Sequence, residues 1–233
     1  YRQQGDPFGS AYRKKTDDKL DILPSINAKR ILNENSNLRV SLAKTITRPV
    51  AMELLPINYI NADGTSESGN PDLKDSENYN VDFKYELFPN NKELFAVGVF
   101  GKMINDPIER VFKPTANSGG QITTFKNSEQ AVIYGAEIEM LFQLSRISKS
   151  LSNFSLGFNT SLMSTDVKID IKKQGNELEN STNRKLQGAS NWLINSDLKY
   201  QFDLSEKWSN TVSAVYSVFG KRIYRSEEHT SEL

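Results

Sequence analysis

YNVDFKYELF, residues Tyr79 to Phe88, puts Tyr79, Val81, Phe83, Tyr85 and Leu87 on one side of an extended chain and Asn80, Asp82, Lys84 and Glu86 on the other. A helix, with 3.6 residues per turn, would scatter both sets around its circumference. The stretch therefore reads as a strand with one apolar and one polar face.

Working outward from it, the same alternation returns along the chain. Leu38, Val40, Leu42 and Ile46 share a face in NLRVSLAKTIT, and Phe95, Val97, Val99 and Met103 share one in the next segment. Ala136, Ile138, Met140 and Phe142 alternate with Gly135, Glu137, Glu139 and Leu141, and Phe154, Leu156, Phe158 and Leu162 with small polar residues. Ile194, Leu198, Tyr200 and Phe202 follow, then Val212, Ala214, Tyr216 and Val218, while a weaker strand runs near Asp21 to Leu32. The fold class is all-β: about eight long antiparallel up-and-down strands, several of about 12 residues or more, where strands of soluble proteins usually have about 5 to 6.

A soluble β-sandwich would alternate too, and the mean hydropathy of -0.56 suits either architecture. Three features favour part of a transmembrane β-barrel. The strands exceed the roughly 9 to 11 residues needed to cross a bilayer at a tilt. Short links at Asn33–Ser36, Pro89–Lys92, Ser145–Ser150 and Asp203–Lys207 alternate with long ones at Pro49–Ser76, Asp106–Gln130 and Ile171–Lys185, as short periplasmic turns alternate with long extracellular loops. Phe88, Phe95, Phe142, Phe154, Phe202 and Trp208 all lie beside the short links, where an interfacial aromatic girdle belongs.

The composition narrows function by exclusion. The 233 residues carry 29 basic and 29 acidic side chains, so no basic field points to nucleic acid as a partner. With no cysteine, disulfide scaffolds and thiolate metal sites are excluded. The longest nearly apolar run, Leu94 to Phe100, is too short for a membrane-spanning helix. The start, YRQQGDPFGSAYRKK, has no signal-peptide core and reads as a chain cut from a longer one.

SLAKTITRP, then GNPDL followed by Lys74 (Gly69, Asn70, Pro71, Asp72, Leu73, Lys74), then YGAE (Tyr134, Gly135, Ala136, Glu137), resemble stretches of the TonB-dependent receptors of the bacterial outer membrane. Asp75-Ser76 stands where that family commonly has Pro-Glu. The resemblance spans nearly all of residues 1–224. It implies a parent barrel of about 22 strands closed by a plug, of which this is a middle-to-late slice. It also implies an outer-membrane location with lipid around the wall, and import of a large scarce nutrient such as a metal chelate, vitamin, peptide or glycan. The partner so implied is an energy-coupling inner-membrane complex acting through the missing plug. A passive barrel or adhesin without energy coupling is the alternative.

Candidate chemistry is sparse, and no catalytic, cofactor-binding or metal-binding residue is assigned. Glu137 and Glu139 could form an acid/base pair, but a water-filled lumen places carboxylates on that face anyway. The Asn61–Asp72 loop is rich in oxygen ligands without the spacing of a calcium loop. SGG at Ser118 to Gly120 lacks a Walker lysine, and the glycosylation patterns at Asn153, Asn159 and Asn180 carry no meaning in a bacterial chain. The loops hold few aromatics, chiefly Tyr59, Phe112 and Phe125, so the ligand class stays open.

The last nine residues, RSEEHTSEL (residues 225–233), break the alternation and contain the single histidine, His229. They resemble the in-frame translation of a sequencing adapter, and are expected to be non-native. Without them the chain is slightly basic and has no histidine for a triad or a metal site.

Overall fold

The computed structural model describes residues 19–62, 65–114, 121–168 and 183–223. The tail at 225–233, the SGG segment and Asn180 lie outside these, as does the placement of the Phe112 side chain. Among the described residues thirteen strands form in chain order: β1 (Ser25–Asn33), β2 (Ser36–Thr47), β3 (Asn58–Ile60), β4 (Ser66–Ser68), β5 (Ser76–Asn90), β6 (Glu93–Asn105), β7 (Ile108–Pro114), β8 (Gln121–Asn127), β9 (Gln130–Gln143), β10 (Phe154–Lys168), β11 (Asn183–Arg184), β12 (Trp192–Ser205) and β13 (Trp208–Phe219). One four-residue helix, α1 (Ala51–Leu54), interrupts the link from β2 to β3.

The alternating segments become one antiparallel sheet in the order β1-β2-β5-β6-β9-β10-β12-β13, with β11 pairing the far end of β10. Its strands follow the chain up and down, and the sheet does not close. Register puts like with like. Val40, Phe83, Val99, Ala136 and Leu162 stand in one cross-strand row, and Leu38, Tyr85, Val97, Ile138, Thr160 and Ile194 in the next. Among the described residues nothing covers these rows: Phe83 is 45 % exposed, Val97 and Val99 are 53 %, and Tyr216, farther along the same face, is 63 %. Fully buried hydrophobics are few among the described residues, namely Leu73, Ala96, Val111, Phe125, Ala131 and Val167. A sandwich would bury its apolar face against a second sheet, so the uncovered face fits lipid and rules the sandwich out.

The short links hold the neighbours in register. In two of them an asparagine side chain caps its own turn: Asn33 Oδ1 accepts from Asn35 N and Asn90 Oδ1 from Lys92 N, each at 2.9 Å. The link from β9 to β10 is longer and carries two short 3-10 turns, Leu144–Arg146 and Lys149–Leu151. At this end the rings of Phe154, Tyr200 and Phe202 stack, with centroids 4.6 and 5.3 Å apart, while Trp208 is exposed, as a girdle requires.

The long links depart from the sequence reading. Rather than plain loops, the first two contain α1, β3, β4, β7 and β8, and form a second sheet in the order β3-β4-β8-β7. Within it β4 and β8, from different links, pair in parallel through Ser66 with Ile122 and Glu67 with Thr123. The small core of Ala131 and Val167, with Ile104 and Leu186 against it, lies at the same end of the molecule.

Candidate functional site

The polar face of the large sheet carries a ladder of charges. Lys84, Gly98 and Glu137 occupy one cross-strand row, so the lysine faces the carboxylate across a strand that offers no side chain between them. Lys84 Nζ lies 2.7 Å from Glu139 Oε2 and 3.8 Å from Glu137 Oε1. A Cβ on Gly98 would sit 3.1 Å from Glu137 Cγ, so the glycine is what lets this carboxylate lie flat on the wall. Gly135 serves Phe100 in the same way, and Gly157 serves Asp197: each glycine lies directly opposite the large side chain that roofs it. Arg39 Nε meets Glu86 Oε2 at 2.7 Å one row away. Glu137 and Glu139 thus face a shared cation, Lys84, as carboxylates on a solvated wall do.

Above the ladder sit the folded links, each built on residues that the sequence marks. Any side chain at Gly69 would strike the backbone of Leu55 and Met52, so this glycine packs directly on α1. Asn70 donates from its backbone to Glu53 O at 2.6 Å and from its side chain to Phe125 O at 2.9 Å, and Leu73 next to it is 1 % exposed. The GNPDL stretch therefore does more than open a strand: it ties the first link to the second. Asp106, in the left-handed region at φ 52°, turns its carbonyl to receive Ser76 Oγ and Asn127 Nδ2, both at 2.8 Å. Within the oxygen-rich Asn61–Asp72 loop, Asn61 Nδ2 donates to Thr65 Oγ1 and Glu67 Oε2 at 3.1 Å each.

Two carboxylates in this layer are buried against arginines, which sequence reasoning missed because the partners lie far apart along the chain. Glu109, 3 % exposed, takes both Arg184 nitrogens at 2.8 and 2.9 Å and the Ser128 hydroxyl at 2.6 Å. Glu67, 2 % exposed, lies 3.4 Å from Arg110. Burial raises the Tyr59 hydroxyl above its ordinary pKa, helped by the hydrogen bond and charge of Glu67. A cavity of about 390 Å³ opens where the three links meet, lined by Glu53, Arg110, Phe125, Gln187, Arg222 and Ile223 among others. It lies in the size range of small-molecule sites.

At the opposite end, beyond the aromatic rim, Glu93 is clamped by Arg146 from the 3-10 link at 2.7 to 2.9 Å, by Gln143 N at 3.1 Å and by Asn90 at 2.6 Å. The Arg146 guanidinium, first among these, holds its carboxyl down to about 2.

The family model for an outer membrane protein β-barrel family matches residues 2–229. No curated protein matches the chain. Among solved structures it is similar to the siderophore receptor PirA of Pseudomonas aeruginosa, at 18 % identity and a TM-score of 0.55 over 84 % of this chain and 34 % of that one. It is also similar to the copper transporter OprC, at 17 % identity, TM-score 0.56, over 85 % and 26 %. The ferric enterobactin receptor PfeA of Pseudomonas aeruginosa, as its R480A mutant with enterobactin, follows at 16 % identity, TM-score 0.52, over 88 % and 29 %. At these identities the likeness is one of fold, and the chain spans about a third or less of each of these structures.

Proposed function

The chain belongs to the outer membrane protein β-barrel family and resides in the bacterial outer membrane, and on that premise we propose that it is a wall segment of a TonB-dependent receptor that imports a metal or metal chelate. The observation that carries this reading is the division of labour across one sheet. Its apolar face is uncovered, its polar face bears the Lys84, Glu137 and Glu139 ladder, and a folded layer with a mixed polar and aromatic cavity caps the long-link end. A lumen of this kind passes a hydrated solute, while the cap offers guanidinium and aromatic groups to bind one.

The names of the similar structures, a siderophore receptor, a ferric enterobactin receptor and a copper transporter, support a metal-bearing cargo over a vitamin, peptide or glycan. The segment supplies wall and contact surface, and no bond is made or broken on it. Energy coupling would act through a plug contributed by the rest of the parent.

Cells that express the full-length protein should accumulate iron from a ferric siderophore, or copper, only while the inner-membrane energy-coupling complex is intact. Accumulation that persists when the complex is deleted would instead identify a passive barrel.

A further inference from the structure

We infer that the described parts of the three long extracellular links form a single preassembled body and not three separately moving pieces. The inference stands on geometry and holds whether or not the barrel imports a metal. The first and second links share one sheet through the parallel pairing of β4 with β8, and Asn70 and Arg110 add side-chain ties between them. The third joins the second through the buried Glu109–Arg184 fork. Gln187 completes the joint by pairing with the backbone of Arg110 as a neighbouring strand would: its Oε1 accepts from Arg110 N at 3.0 Å and its Nε2 donates to Arg110 O at 2.6 Å. Leu186 N, bonded to Thr165 Oγ1 at 3.0 Å, fixes the third link to the top of β10. The cavity of about 390 Å³ lies at this junction, lined from all three links. It is therefore held open by protein contacts alone, and a ligand entering it meets groups already in place, with little ordering left to do.

Hydrogen exchange on the full-length protein in detergent micelles, followed for peptides 58–68, 108–127 and 183–191, tests this. Glu109→Gln weakens the tie between the second and third links and the Ser128 contact within the second, and leaves the first link's contacts in place. In one body it raises exchange roughly tenfold in all three peptides, including 58–68, which the substitution does not touch. A rise confined to 108–127 and 183–191 would overturn the inference. The reverse arm staples the first link to the second with Ser66→Cys and Ile122→Cys. Oxidation should slow exchange in 183–191, which carries neither cysteine, and an unchanged rate there would equally overturn it. Retained heat-modifiable migration on gels shows that the barrel itself remains assembled.

Discussion

Two ionic contacts show how differently a glutamate behaves on the open polar face and in a tight link. Lys84 and Glu139 meet at 2.7 Å, but the Glu139 side chain is 44 % exposed on a face that water reaches. Exposed pairs of this kind contribute only about 0.2 to 1 kcal/mol. Lys84→Met should therefore cost less than about 1 kcal/mol in urea unfolding from lipid, so the ladder serves the lumen's polarity more than its stability. Glu93 is the opposite case, with a side chain 1 % exposed and three groups donating to it, the Arg146 guanidinium, Gln143 N and the Asn90 amide. Its folded pKa lies at about 2, below the ordinary 4.5, so its stabilisation is complete above about pH 4.5 and is lost as pH falls toward 2. Arg146→Met should flatten the unfolding midpoint in that window. An unaltered acid dependence would show that other carboxylates set it.

Strands of the wall are legible in the sequence because each must satisfy two solvents at once. On β6 the cost of breaking that rule can be measured: Val97→Lys should destabilise the barrel by about 2 to 4 kcal/mol near the bilayer midplane. Asp82→Lys on the polar face of β5 should cost little by the same urea titration in lipid vesicles. Equal costs would remove the assignment of faces. The cap strands lack such a rule. β3 and β4 have three residues each, and β7 and β8 (IERVFKP and QITTFKN) bury Glu109, Val111, Thr123 and Phe125 against other links and not against a single solvent. The buried positions alternate, but they mix Glu109 and Thr123 with Val111 and Phe125, so no hydrophobic period records them and the links read as plain loops. The polar placement of Glu137 and Glu139 was visible in the alternation. The reach of Lys84 over Gly98 depends on cross-strand register, which one strand's pattern does not contain. Gly69 and Asn70 were marked by the family resemblance, but their contacts with α1 and Phe125 emerge only once distant links are folded together.

At the scale of the whole molecule, the eight-stranded path ends in β1 and β13, each with one side unpaired among the described residues. Unpaired edges beside an uncovered apolar face favour association over independent folding in water. The isolated segment should show no sharp cooperative melt without detergent, followed by circular dichroism at 218 nm, a wavelength at about which β-structure absorbs. A sharp melt would mean that the edges are closed some other way. The parallel contact between β4 and β8 has a further consequence, for timing. Adjacent antiparallel strands can zip from a local turn, but Ser66 reaches Ile122 only after the β5 and β6 hairpin between them has formed. The outer cap is thus expected to assemble late, and a protease added to cells during insertion should cut near residue 60 until assembly ends, then lose its target.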